Sequence, residues 1–193
     1  FLQVVWGRYF FMLVISIPLA FIFFRKELKF PKSLSVQLWR SFFLFLSTVF
    51  FFYAISIISL AEALTLAFVS PIIVTVLSIF YLKEKVGIHR WIAVFIGFFG
   101  VLIIIRPGFI DLNFASLSAL FAGISYAFYI LYTRKLSFTD SAFVTLIFTG
   151  SIGCLIISII VPFFWINLSL EQVLFLILLA SIGTLGHFLI ILS

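Results

Sequence analysis

Charge is what this chain has least of: Asp, Glu, Lys and Arg make up 9% of its 193 residues, against about 25% in a soluble domain. So little charge cannot coat a water-facing globule, which excludes soluble enzymes, soluble nucleic-acid binders and disordered regulators. A single cysteine, Cys154, rules out an internal disulfide or a cysteine metal cluster. The two histidines, His89 and His187, stand in no metal-ligand spacing, so an intramembrane metal hydrolase has nothing to build on. No G-x-x-x-x-G-K-[ST] loop occurs, so ATP-driven pumping would need another chain. The last apolar stretch has no lysine, which excludes a retinal Schiff base. No cofactor, no metal and no catalytic residue is expected, and the chain does not read as an enzyme.

What the chain has is hydrocarbon: 65% of its residues are apolar and 29 are Phe. Seven stretches are long enough to cross about 30 Å of bilayer: I at 1–24, II at 41–59, III at 60–82, IV at 90–106, V at 114–133, VI at 141–163 and VII at 172–193. Short connections carry turn and cap residues, among them Pro31, Ser59, Gly87, Asn113 and Pro162. The expected fold is an all-α integral membrane bundle. Phe1 and Ser193 both fall inside apolar stretches, the pattern expected of an internal piece of a longer protein.

The +6 net charge is informative by placement. Ten of the twelve basic residues fall in the I–II, III–IV and V–VI loops, counting Arg40 with the first of these. Positive loops stay cytoplasmic, so stretch I runs from outside to inside. These charges sit in short hairpins against the bilayer, which argues against nucleic acid as a partner. The partners expected are the lipid bilayer and a small-molecule solute. Trp6, Trp39, Trp91 and Trp165 fall near stretch ends, as an interfacial belt would place them.

Polar residues at membrane depth are the candidate site. Arg8 lies about 25 Å up the helix axis from Arg25 and Glu62 about 31 Å from Lys83, at 1.5 Å per residue. The two are candidates for an ion pair at the outer mouth of a cavity. Simple snorkelling of Arg8 and a capping box at Ser59-Leu-Ala-Glu62 are the plainer alternatives. Nearer the midplane, stretch II offers Thr48, Tyr53 and Ser56, and stretch III offers Ser70-Pro71. Stretch V adds Ser118, Ser125 and Tyr129 along one face, and stretch VII adds Thr184 and His187. Pro71 releases the Ala67 carbonyl from the helical ladder, marking either a solute site at an interrupted helix or a packing kink. His187 is either a coupling or anion-binding group or a satisfied buried histidine. The small residues Ala93, Gly97 and Gly100, Thr149 and Gly153, and Gly183 and Gly186 are expected where helices touch.

Stretches II and VII align at a shift of 136 residues yet run in opposite directions, as an inverted repeat would. An ordered series of short motifs adds to this. Arg8, Ala61-Glu62-Ala63, Ser70-Pro71, Lys83-Glu84-Lys85, Arg90-Trp91, Gly100-Val101 and Arg106-Pro107-Gly108 are followed by Gly123-Ile-Ser125-Tyr126-Ala127, Thr133-Arg134-Lys135 and Gly183-Thr-Leu-Gly186-His187. In this the chain resembles EamA-type transporters of the drug/metabolite transporter superfamily. The resemblance implies ten helices in two inverted repeats, residues 1–110 forming the first without its first helix and 111–193 the second without its last two. It implies gradient-driven, alternating-access movement of small metabolites, such as amino acids, across a bacterial cytoplasmic membrane. A lipid or lipid-linked carrier flippase of the same fold is the alternative. It also points to the space between the repeats, and so to Thr48, Tyr53, Ser70, Ser125, Tyr126, Tyr129 and His187.

Overall fold

The computed structural model describes residues 1–192 except 82, 84–85, 106–112 and 138, and omits the side chains of residues 27, 90, 101, 104 and 105. Glu84, Lys85 and Arg106-Pro107-Gly108 therefore lie outside the described residues, as do the side chains of Arg90 and Val101. The described residues are helical with no strand. They form α1 (Leu2–Phe23), α2 (Leu34–Ile55), α3 (Leu60–Ala67), α4 (Ser70–Tyr81), α5 (Ile88–Ile105), α6 (Phe114–Leu136), α7 (Ala142–Ile160) and α8 (Leu170–Leu192). Short 3-10 turns follow α1 at Arg25–Glu27 and α7 at Val161–Phe164.

Among the described residues, six segments are long and apolar enough to cross a membrane: α1, α2, α3 with α4, α6, α7 with its 3-10 extension, and α8. The apolar part of α5 among described residues is shorter, Trp91–Gly100. Large apolar side chains face outward along these helices, Leu174, Phe175, Leu178, Ile182, Leu185 and Leu189 of α8 among them. Water would not tolerate so continuous an apolar surface, and hydrocarbon does. The protein is an all-helical, multi-pass integral membrane protein.

Helix starts are set by local hydrogen bonds. Ser59 Oγ accepts from Glu62 N at 3.2 Å to open α3, and Asn113 Oδ1 accepts from Ser116 N at 2.9 Å to open α6. Ser141 Oγ accepts from Val144 N at 3.3 Å to open α7. A reciprocal capping box starts α8, Ser169 and Gln172 each bonding the other's backbone N–H. This box places the start at Leu170, two residues ahead of the expected one. The larger correction is α2, which begins at Leu34 rather than 41. Arg40 is therefore not a loop residue but lies inside a membrane helix with no exposed surface.

Contacts divide the chain into two compact units, Phe1–Phe45 with Tyr132–Ser193 and Leu46–Leu131. In the first, α1 packs against α7 and α8. Glycines make that approach close: a Cβ at Gly153 would meet the Tyr9 ring at 2.5 Å, one at Gly150 the Leu13 side chain at 2.8 Å, and one at Gly7 the Leu176 side chain at 2.9 Å. In the second, Ala54, Ala63, Leu66 and Ala119 form a small-residue core flanked by Phe51, Ile55, Ile58 and Leu120. There α3 and α4 are separated by a break at Phe68–Val69. Pro71 has no N–H to give the Ala67 carbonyl, and Gly123 of α6 passes so close that a Cβ there would stand 2.7 Å from that oxygen.

One packing expectation is corrected. At Gly186 of α8, and at Gly97 and Gly100 of α5, an added Cβ would meet nothing within 4 Å among the described neighbours. Gly97 and Gly100 line, with Ala93, an open cavity of about 640 Å³.

Candidate functional site

In the first unit two arginines enter membrane-depth helices. Arg8 Nη2 lies 2.8 Å from His187 Nε2, joining α1 to α8. A guanidinium has no acceptor, so it is Nε2 that accepts, and the ring in this pairing carries its hydrogen on Nδ1. The guanidinium rests over Gly183, one turn before His187, where an added Cβ would be in ordinary van der Waals contact with Arg8 Nε at 3.6 Å. His187 is buried and Arg8 half-buried. Charge at this depth is costly unless held by such bonds.

Sequence reasoning missed the second cluster. Arg40 Nε donates to Thr133 Oγ1 at 2.8 Å, and Nη1 donates to Thr149 Oγ1 and, at 3.4 Å, to the Thr145 carbonyl. One guanidinium thus joins α2, the end of α6 and α7. One turn earlier, Gln37 Nε2 donates to Asp140 Oδ2 at 2.8 Å and to Thr145 Oγ1 at 3.1 Å. Asp140 also accepts from the Lys32 backbone N–H at 3.1 Å. The missed signal was spacing. Gln37, Arg40 and Ser41 share one helical face, and moving the start of the span back to Leu34 still gives a 22-residue helix.

The remaining candidates are spread over both units. Thr184 is buried but donates to the Ala180 carbonyl of its own helix at 2.6 Å. In the second unit the Glu62 N–H donates to the capping Ser59 Oγ, while the Glu62 carboxylate accepts from Ser116 Oγ at 3.4 Å. Thr48, Ser70, Ser125 and Tyr129 are buried, and Ser118 is buried and donates to Phe114 O at 2.8 Å. Tyr126 and Tyr129 have ring centroids 5.4 Å apart. Because α2 starts early, it ends at Ile55. Tyr53, edge-on to Phe114 at 5.6 Å, and the exposed Ser56 therefore lie at its outer end, not mid-membrane as expected. Pro71 lines the 640 Å³ cavity with Phe68, Thr75 and the α5 glycines. Of these candidates, the structure bonds Arg8 to His187 within the first unit and sets Tyr126 beside Tyr129 in the second. The tryptophans behave as an interfacial belt at two positions: Trp39 and Trp165 are about half exposed.

Residues 1–106 match the EamA-like transporter family. The chain belongs to that family. The EamA-like chain is 26% identical over 190 residues to an S-adenosylmethionine uptake transporter of Rickettsia bellii, a match covering 98% of this chain and 65% of that one. The corresponding Rickettsia felis transporter is 25% identical over 184 residues, covering 95% and 62%. A riboflavin transporter of Vibrio cholerae is 41% identical over 80 residues, covering 42% of this EamA-like chain and 27% of its own. The chain thus spans less than two thirds of the length of these relatives. Family and relatives are transporters by name, not enzymes.

Proposed function

We propose that the protein is a gradient-driven membrane transporter of small organic metabolites, working by alternating access between two inverted repeats, residues 1–110 and 111–193, of a longer chain. The observation that carries this reading is the Arg8–His187 bond between two apolar helices. Ionisable groups inside membrane helices are expensive and mark solute or ion pathways. The named relatives suggest S-adenosylmethionine and riboflavin as solutes, and the proposal extends the range to amino acids and related metabolites. In this proposal the protein lies in the cytoplasmic membrane with its basic loops inside, a reading supported by the bacterial relatives and by the charge of those loops. Thr48, Tyr53, Ser70, Pro71, Ser125, Tyr126, Tyr129 and His187 belong to the solute path in this proposal.

The test is uptake and counterflow of labelled S-adenosylmethionine, riboflavin and a panel of amino acids by proteoliposomes holding the protein at its full natural length. Saturable movement of at least one solute is expected. Scrambling of labelled lipid without movement of any solute would instead identify a flippase. The Arg8–Glu62 mouth pair remains part of the proposal: exchanging the two charges should restore the transport that Arg8→Glu or Glu62→Arg alone removes.

A further inference from the structure

A ladder of contacts fixes the register of α1 against α7 and the segment after it. Gln3 meets Ile166, Trp6 meets Ser158, Tyr9 abuts Gly153, Leu13 abuts Gly150, and Phe24 stacks on Phe143. The partner number falls as the α1 number rises, so the helices are antiparallel and Ser16 stands level with residues 145–149. Arg40 and Gln37 of α2 bond Thr145 and Thr149 at that same level, and Tyr9 faces Phe45 of α2 at 6.1 Å. Ser16 belongs to the buried face of α1 that carries Tyr9 and Met12. Ser16, Gln37, Arg40 and Ser41 are therefore collected at one depth of the first unit.

Among the described residues, the buried side-chain polar atoms without a hydrogen-bond partner are Ser16 Oγ, Gln37 Oε1 and Ser41 Oγ. Several buried hydroxyls elsewhere in the chain turn back onto their own helix, as Thr65, Thr75 and Thr184 do. Native interiors leave few polar atoms unsatisfied, and here three fall at the depth of a buried guanidinium. Two of the three are hydroxyls able to donate, and the third is a carbonyl oxygen that only accepts. Charge is graded in the same direction: Arg40 lies deep, while Asp140 lies beyond Gln37 at the basic-loop end.

We propose that this level of the first unit binds an α-amino-carboxylate head group of the transported solute. Arg40 and the Ser16 and Ser41 hydroxyls donate to the carboxylate, and Gln37 Oε1 accepts from the ammonium. The site rests on the transport reading above and lies apart from the Arg8–His187 bond. In the state seen here it is closed. Threonine hydroxyls occupy part of the Arg40 fork, and a carboxylate entering the site replaces them with two parallel, charge-assisted bonds.

The test is equilibrium binding of labelled S-adenosylmethionine, which carries the head group, and of its decarboxylated analogue. It uses the purified protein at full natural length and its Ser16→Ala/Ser41→Ala double variant. Those serines make no bond in the closed state, so the double variant folds and its melting temperature stays level or rises. Its Kd for S-adenosylmethionine is expected to increase about tenfold, a loss of about 1.4 kcal/mol, while the decarboxylated analogue binds both proteins alike. An Arg40→Lys variant should lose the same discrimination between the two ligands. Unchanged S-adenosylmethionine affinity in the double serine variant, or equal losses for both ligands, would overturn the site and leave the transport reading standing. A natural protein that binds neither ligand and moves none of the solute panel overturns both.

Discussion

Arg40 shows how a membrane helix holds a buried cation. Three bonds to hydroxyl and carbonyl oxygens on two other helices replace water around it, so removing the guanidinium leaves those oxygens unsatisfied in a dry interior. Arg40→Ala is expected to lower unfolding stability in detergent by about 3 kcal/mol, and Thr133→Val by about 1–2 kcal/mol. Chemical denaturation followed by tryptophan fluorescence would measure both. His187 makes a different prediction. Its Nε2 accepts from Arg8, and a protonated ring cannot, so gaining a proton breaks the α1–α8 bond. His187→Gln keeps an acceptor that does not titrate; it should retain transport with a flattened pH profile, whereas His187→Ala should lose transport. A pH series of uptake rates separates the two outcomes. Composition exposed Arg8 and His187 because each stands alone in a long apolar run. It hid Arg40, because an arginine near a run of basic residues reads as loop until its partners, about a hundred positions later, are seen.

Among the helices, glycine spacing alone does not reveal which glycines are pressed against a neighbour. Gly153 and Gly123 are pressed: added Cβ atoms would stand 2.5 Å from the Tyr9 ring and 2.7 Å from the Ala67 carbonyl. Gly97 has nothing within reach. Gly153→Ala and Gly123→Ala are therefore expected to cost about 1–3 kcal/mol from overpacking. Gly97→Ala should be neutral or gain up to about 1 kcal/mol of helix propensity, and thermal unfolding of the three variants decides. The stretches from 60 to 82 and from 114 to 133 were legible as membrane segments because continuous hydropathy defines them. The divided helix was legible too, since Pro71 must break the ladder. The start of α2 was not, because Gln37, Arg40 and Ser41 look polar until the threonines that satisfy or surround them are in place.

On the scale of the molecule, scarcity of charge excluded water as the solvent, and the few charges that remain mark loops and buried bonds. The ordered motifs from Glu62 to Gly108 made the family legible, and residues 1–106 bear it out. The solute was not legible, because selectivity depends on side chains brought together by folding, as Arg40 and Thr149 are. The central claim is that the protein carries small metabolites across a bilayer. The most direct measurement is counterflow of labelled S-adenosylmethionine, riboflavin and amino acids in proteoliposomes of the protein at full natural length. The account predicts transient accumulation of at least one labelled solute when the vesicles are preloaded with the same unlabelled compound, abolished by His187→Ala. No accumulation of any of them, with lipid scrambling in the same vesicles, would contradict it.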